Sequence, residues 1–232
     1  MLTDNSPIVF IACKVFQGQI EHYLPADESI SIQFMDYGLH KVPRKLKVWL
    51  QEQIDDLSVP SRVALGYGLC GNGLHGIKAG AHTLIVPRTD DCIALLLGSY
   101  PAYRKQFDEV AGTYYLSKGW LESGSNPLEE YLGYVEKYGE SQAKWLMDVQ
   151  YQNYVRLAFV SHREDDLIKY REKAQEVAAF CQQWGMRYEE ILGSEDYIRR
   201  FVSVVFGQEP PGDDFLIINP GQTLTQTQFF RL

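Results

Sequence analysis

The sequence predicts an α/β protein with a mostly parallel, Rossmann-like sheet that carries helices on both faces. Short apolar runs alternate with longer amphipathic stretches along the 232 residues, which is the pattern of βα units around a parallel sheet. The chain is 45% hydrophobic and is long enough to bury a sizeable core. We expect a single domain over residues 1–232, with GWLESGSNP (119–127) as the candidate boundary if the fold consists of two similar halves.

Eight short apolar runs predict the strands, because each is bounded by turn residues or by a longer amphipathic stretch. The predicted strands are PIVFIA (7–12), ISIQFM (30–35), RVALGY (62–67), TLIVP (83–87), TYYL (113–116), YVRLAFV (154–160), RYEEIL (187–192) and FLIIN (215–219). Helices are expected between most of them.

An apolar stripe predicts a helix over residues 164–184, because its members recur at alternating spacings of three and four. Gly185 is the expected stop of this helix. A second helix is predicted over residues 42–57, with Pro43 suitably placed in its first turn. The stripe consists of Leu167, Tyr170, Ala174, Val177, Cys181 and Trp184.

The charge balance and the apolar pattern exclude two classes of partner. The chain carries 22 basic and 30 acidic side chains, a net charge of -8. This acidic balance does not provide the basic face that a nucleic-acid partner needs. No stretch approaches the roughly 18 to 20 consecutive apolar residues that span a bilayer. The start MLTDNSPIVF has no cationic region ahead of an apolar segment. We therefore expect a cytoplasmic protein with no nucleic-acid or membrane partner.

The segment GYGLCGNGLHG (66–76) follows the third predicted strand and contains five glycines. It matches G-x-G-x-x-G, but its further glycines disfavour the helix that a dinucleotide fingerprint must open, since each costs about 0.5 to 1 kcal/mol there. A long loop that exposes backbone N–H groups can still hold an anionic ligand. The expected contacts to such a ligand are Gly68, Gly71, Asn72, Gly73 and the guanidinium of Arg88.

Three of the four cysteines follow predicted strands. Cys13 ends the first strand, Cys70 lies in the loop after the third, and Cys92 follows the fourth. A third helix should begin at Asp91 or Cys92. Ligands of open α/β sheets bind at the carboxyl ends of the strands. The three thiols should therefore converge if these strands are neighbours in the sheet.

Three cysteine thiolates are soft ligands and predict zinc or an iron–sulfur cluster. His40 or His75 is the candidate for the fourth ligand, or that position stays open for water or substrate. The start of the predicted helix would lower the pKa of the Cys92 thiol, and the carboxylates of Asp90 and Asp91 would oppose this effect.

Two other interpretations of these cysteines stay open. A catalytic pair of Cys70 with His40 or His75 would need only a base within reach and no metal. The cysteines would otherwise be small buried hydrophobic residues, which is the expectation for Cys181 on its helix stripe.

The chain contains, in this order, the blocks ACKVF, MDYGLH, GYGLCGNGL, VPRTDDCIALLLGS and GTYYLSKGW. They resemble the consensus blocks of the uncharacterised family catalogued as domain of unknown function 1638, from residue 7 to about residue 220. Cys13, Cys70 and Cys92 fall in these blocks, and Cys181 does not. Family members accompany corrinoid-dependent methyltransferase systems, so the resemblance implies anaerobic one-carbon metabolism, a corrinoid as cofactor and a corrinoid or methyltransferase protein as partner.

Together these observations predict a metal-binding protein with a three-cysteine site for zinc or an iron–sulfur cluster. It would be an enzyme or accessory factor of anaerobic, corrinoid-linked methyl transfer. The alternative is a non-catalytic protein that binds a cofactor or small molecule through its glycine-rich loop. A structural or interaction protein with a conventional core is the third hypothesis, and it predicts scattered, buried cysteines.

Overall fold

A computed structural model describes residues 6–26, 30–35 and 42–231. The chain forms two compact units, the first from residues 1–95 and 196–232 and the second from residues 96–195. The first unit is therefore discontinuous in sequence. The segment 119–127 lies inside the second unit, and the expectation of a single domain stays a prediction.

The first unit contains a five-stranded, mostly parallel sheet with the strand order β2-β1-β3-β4-β8. Strand β1 pairs in parallel with both β2 and β3, and β3 pairs in parallel with β4. The last strand, β8, runs antiparallel to β4 at one edge of the sheet. The strands are β1 (Ile8–Cys13), β2 (Ile30–Met35), β3 (Arg62–Gly66), β4 (Thr83–Pro87) and β8 (Phe215–Ile218).

Three helices of the described chain belong to this unit: α1 (Gln17–Tyr23), α2 (Pro43–Asp55) and α9 (Asp196–Val205). Helix α2 buries Leu46, Leu50 and Ile54, which recur every four residues on one face. The short helix α3 (Ile93–Leu97) follows β4, and the boundary between the units falls within it.

The second unit contains a parallel sheet with the strand order β5-β6-β7. A core of apolar side chains from β5, β6, α7 and α8 lies against this sheet, and the stripe predicted on α8 contributes to it. The elements are α4 (Tyr100–Glu109), β5 (Thr113–Ser117), α5 (Lys118–Glu122), α6 (Pro127–Tyr138), α7 (Glu140–Tyr151), β6 (Arg156–Ser161), α8 (Glu164–Cys181) and β7 (Arg187–Leu192).

The α/β prediction is confirmed, and all eight predicted strands are present with ends that differ by no more than two residues. The helix predicted over 164–184 consists of α8 and a 3-10 turn, and it ends at Gly185 in a left-handed conformation. The strands are divided between two sheets. None of the helices in the described parts of the chain is long and apolar enough to cross a membrane.

The buried imidazole of His82 connects the starts of β3 and β4. Its Nδ1 accepts a hydrogen bond of 3.1 Å from the backbone N–H of Ser61, and the Ser61 carbonyl accepts one from Thr83. Burial lowers the pKa of His82 from its ordinary value near 6.5, and the charge of Asp55 opposes this only in part. The neutral ring is thus the form that the fold stabilises.

We expect His82 to make the stability of the protein sensitive to acid. Because the pKa is lower in the folded chain, its contribution is complete above the unfolded-state pKa of about 6.5 and is lost as the pH falls below it. Urea unfolding at pH 7.5 and 5.0 should show a larger loss for the wild type than for His82→Asn, which keeps an acceptor but does not titrate. Equal losses in the two proteins would contradict this role.

Candidate functional site

The carboxyl ends of β1, β3 and β4 lie side by side, because these three strands are consecutive in the first sheet. Cys13 is the last residue of β1. Cys70 lies four residues beyond the end of β3, and Cys92 lies directly before the first residue of α3. The strand order that convergence of the thiols requires is therefore present.

Backbone hydrogen bonds join the loop after β3 to the loop after β4. The N–H groups of Leu69 and Cys70 donate to the carbonyls of Thr89 and Asp90, each over 2.9 Å. These two bonds align the loops at Cys70 and just before Cys92. The positions of Cys70 and Cys92 are thus set by the backbone.

Gly66 and Gly68, at the start of the glycine-rich segment 66–76, allow neighbouring segments of the chain to approach this closely. A Cβ on Gly66 would lie 2.5 Å from the Cβ of Ala12 in β1. A Cβ on Gly68 would lie 2.6 Å from the backbone carbonyl of Asp91. Protein atoms therefore already occupy the space that each glycine leaves open. Packing between neighbouring chain segments explains both residues without a ligand.

The structure brings two of the predicted ligands into direct contact. The Sγ atoms of Cys70 and Cys92 are 3.6 Å apart, and both side chains are buried. Cys13 is also buried at the neighbouring strand end, and all four cysteines are free thiols. Within residues 6–26, 30–35 and 42–231, no group of three His, Cys, Asp or Glu side chains is already arranged to hold a metal ion.

Two thiols of this edge, Cys13 and Cys92, have raised pKa values. The contact with Cys70, and next to it burial, raise the pKa of the Cys92 thiol well above its ordinary value. Burial, and after it the charge of a Cys92 thiolate, raise the pKa of Cys13. The expected lowering of the Cys92 pKa by a helix start is wrong, because the contact with Cys70 and desolvation outweigh the effect of a five-residue helix, and the charge of Asp91 opposes it as expected.

Asp91 lies directly before Cys92 and two residues before the start of α3. Its Oδ1 accepts a hydrogen bond of 2.8 Å from the backbone N–H of Ile93. Burial raises the pKa of Asp91 to about 6, although that hydrogen bond acts in the opposite direction. Asp91 therefore holds the backbone next to Cys92.

Three consecutive residues of the glycine-rich loop have positive φ angles, which are 47° at Cys70, 61° at Gly71 and 69° at Asn72. This conformation is unfavourable for residues with a Cβ, and among these asparagine tolerates it best. The loop turns sharply as a result, and it contains turns and no helix before β4. The fingerprint of a dinucleotide fold is therefore incomplete here.

The C-terminal segment, residues 224–230, lies along the glycine-rich loop. The N–H of Gly76 donates to Leu224, and the N–H of Leu224 donates to Ile77. A Cβ on Gly73 would lie 2.8 Å from a methyl carbon of Leu46 in α2. The loop thus has protein neighbours on two sides, and ligand contacts by Gly68, Gly71, Asn72 and Gly73 stay a prediction.

The C-terminal segment also engages two of the predicted site residues. Nδ1 of the exposed His75 accepts a hydrogen bond of 3.2 Å from the backbone of Gln226. The Nε of Arg88 donates to the Gln228 carbonyl over 2.8 Å, and one of its Nη atoms donates to the Phe230 carbonyl. Metal ligation by His75 and ligand binding by Arg88 stay predictions, and His40 lies outside the described residues.

The sequence analysis missed two polar side chains at this edge. The hydroxyls of Tyr67 and Thr89 are buried and have no hydrogen-bond partner in the described part of the chain. Tyr67 directly follows β3 and Thr89 lies two residues after β4, and a cysteine follows each of these strands. A polar residue just after an otherwise apolar strand was the signal that could have identified them.

A model of a protein family described as "Protein of unknown function (DUF1638)" matches residues 34–202. The match includes Cys70 and Cys92 and begins after Cys13, so it is shorter than the span of the sequence resemblance. No curated protein and no solved structure matches the chain.

Proposed function

The chain belongs to the DUF1638 family, which has no assigned function, and from its own residues we propose that the first unit is a thiolate metal-binding unit. The ligands are the thiolates of Cys13, Cys70 and Cys92. The occupant is zinc or an iron–sulfur cluster, because soft sulfur donors select these over magnesium or calcium.

The distance between the Cys70 and Cys92 sulfurs carries this proposal. Two zinc–sulfur bonds of about 2.3 Å at a tetrahedral angle place their sulfurs about 3.8 Å apart. The observed separation of 3.6 Å is close to that value, whereas a disulfide bond would bring the sulfurs to about 2.05 Å. The pair therefore has the spacing of two ligands on one ion before any ion is bound.

The backbone around this pair is preorganised for binding. The left-handed conformation of Cys70 costs roughly 1 to 2 kcal/mol and persists because the paired loops hold it in place. Since the pair is already positioned, binding has little conformational entropy to overcome. Cys13 supplies the third thiolate from the end of β1, and the proposal requires its side chain to turn toward the pair.

Burial of the thiols also supports a cation as the natural occupant. The raised pKa values of Cys13 and Cys92 mean that their thiolates are unfavourable without a compensating positive charge. Binding must therefore release protons, and affinity should increase with pH. When bound, zinc would supply a Lewis acid that activates a coordinated group at neutral pH. The chain itself binds the ion and keeps water from the sulfurs.

Elemental analysis of protein purified without oxygen tests the site, on the wild type and on Cys13→Ala, Cys70→Ala and Cys92→Ala. We expect about one zinc per chain, or an iron–sulfur chromophore, in the wild type and its loss in each of these variants. Cys181→Ala is the matched control, since Cys181 is a buried thiol in the core of the second unit. A wild type that stays metal-free after reconstitution would overturn the proposal.

The wider role in corrinoid-linked methyl transfer is part of the proposal and is supported by the sequence resemblance. In this role the site would receive a methyl carrier, either as an enzyme or as an accessory protein. Methylcobalamin added to the metal-loaded protein should change its visible spectrum, and Cys92→Ala should abolish the change. If the wild type leaves the spectrum of methylcobalamin unchanged, the corrinoid-linked role would be contradicted. The proposal of the metal site would not be affected.

The same sulfur contact favours one other function, a dithiol redox pair. Cys70 and Cys92 would form a disulfide by exchange with a disulfide substrate, which leaves as two thiols, so that electrons and protons balance. Oxidised glutathione is a suitable probe, and mass spectrometry would show the loss of two hydrogens per chain. Cys13 separates the two functions, because the metal site needs it and a disulfide between Cys70 and Cys92 does not.

A further inference from the structure

Tyr67 lies between the two glycines that bring β1 and the loop after β4 close to β3. Gly66, directly before it, is paired in the sheet with Ala12, the neighbour of Cys13. Gly68, directly after it, contacts the backbone of Asp91, the neighbour of Cys92. The chain therefore places Tyr67 among the three segments that supply the cysteines.

The hydroxyl of Tyr67 has no partner in the part of the chain that the structure describes. The side chain is 1% exposed, and its oxygen is buried without a hydrogen bond. Buried hydroxyls of folded proteins nearly always have a partner, and for one without a protein partner this is an ordered water, a ligand or an ion. By contrast, the buried hydroxyl of Tyr197 in the same unit donates to the carbonyl of Asp214 over 2.9 Å.

The three proposed metal ligands lie within electrostatic range of this hydroxyl. Burial raises the pKa of Tyr67 most strongly, and thiolate charges on Cys13, Cys92 and Cys70 raise it further. A phenol has an ordinary pKa of about 10, so it is neutral at pH 7 and can donate a hydrogen bond to a thiolate sulfur that comes within reach.

We propose that Tyr67 is a positioning residue of the metal site, whose hydroxyl donates a hydrogen bond to a metal-bound cysteine sulfur. This inference rests on the proposed thiolate site. Three thiolates around a divalent ion leave one net negative charge in a buried place, and a donor to sulfur offsets it. Tyr67 acts on the ligands and does not occupy a coordination position of the ion.

A comparison of Tyr67→Phe with Tyr197→Phe tests this role, using Co²⁺ as the probe in oxygen-free buffer. In Tyr67→Phe we expect Co²⁺ affinity to fall about 10- to 100-fold, as is typical when a partner of a metal ligand is removed. The sulfur-to-cobalt charge-transfer band should also shift, because the sulfur loses a hydrogen bond. Tyr197→Phe should keep the affinity and the band of the wild type.

Thermal unfolding of the same proteins without metal gives an independent readout. Tyr67→Phe should melt at the same temperature as the wild type or higher, because it removes a hydroxyl that is buried without a partner. Tyr197→Phe should melt lower, because it removes the hydrogen bond from the Tyr197 hydroxyl to the Asp214 carbonyl, which then keeps only the backbone N–H of Arg88 as a donor. Tyr67→Phe should thus lower metal affinity without loss of stability, and Tyr197→Phe should lower stability without loss of metal affinity.

The outcomes separate this inference from the proposed function. Wild-type protein that binds no Co²⁺ would overturn the thiolate site as a site for a single divalent ion, and the role of Tyr67 with it. If the wild type binds Co²⁺, and Tyr67→Phe binds it with the same affinity and the same charge-transfer band, only the role of Tyr67 would be overturned. Destabilisation of metal-free Tyr67→Phe to the extent seen in Tyr197→Phe would also overturn it, since it would show that the hydroxyl has a structural partner.

Discussion

Gly68→Ala is expected to destabilise the protein by about 2 to 3 kcal/mol and to abolish metal binding. The new Cβ would lie 2.6 Å from the carbonyl of Asp91, and backbone atoms on both sides cannot move aside without cost. Relief of this clash would separate the loop of Cys70 from the loop of Cys92. The 3.6 Å contact between their sulfurs would then be lost.

Urea unfolding and metal content, measured on the same preparation, check this prediction. Gly18→Ala is the matched control, because Gly18 is in α1 of the same unit and its Cβ would meet nothing within 4 Å in the described chain. That variant should be as stable as the wild type or more stable by about 0.5 to 1 kcal/mol, with full metal content. Normal stability and metal content in Gly68→Ala would show that the two loops are not held together as the structure indicates.

Phe201→Ala is expected to cost about 3 to 5 kcal/mol of unfolding free energy. The ring belongs to α9 and is fully buried in the first unit. It packs edge-on against Phe10 of β1 at 6.1 Å and is stacked with Phe215 of β8 at 5.9 Å. Its removal would leave a cavity between a helix and two strands that come from both ends of the chain.

Chemical denaturation measures this loss, with Phe230→Ala as the control in the same unit. The Phe230 side chain is 54% exposed, so its truncation should cost less than about 1 kcal/mol. Equal effects of the two substitutions would contradict the packing of α9 against the first sheet. The metal content of a folded Phe201→Ala protein should stay normal, since α9 supplies no ligand.

The secondary structure could be predicted closely because its signals are local. The run ISIQFM predicts a strand over the same residues that the structure shows, and the stripe on α8 predicts the buried face of that helix. Pro43 and Gly185 mark the start of one helix and the end of another. Each of these signals depends only on neighbours within about a turn or two of the chain.

The pairing of strands was beyond local signals. Nothing in FLIIN indicates that β8 returns to pair antiparallel with β4, more than a hundred residues earlier. The division into two sheets and the discontinuous first unit likewise depend on contacts between distant residues. Such contacts form because the apolar faces of α9 and β8 must pack against other apolar surfaces. The local sequence does not indicate which surfaces these are.

The candidate site shows the same division between local and tertiary information. The position of each cysteine after a strand could be predicted, because strand ends are local features. The roles of Gly68 and Gly73 could not, since their free space is taken by Asp91 and Leu46 from other elements. The contact of His75 with Gln226 was equally beyond prediction.

The sequence by itself determined the α/β class, the strands and the placement of three cysteines after strand ends. Only the tertiary structure decided that β1, β3 and β4 are neighbours, that Cys70 and Cys92 touch and that the Tyr67 hydroxyl is buried without a partner in the described chain. The physical reason is the distance along the chain over which each kind of interaction acts. Periodicity and turn chemistry act over a few residues, whereas strand order and close packing are decided by burial of surfaces that the whole chain supplies.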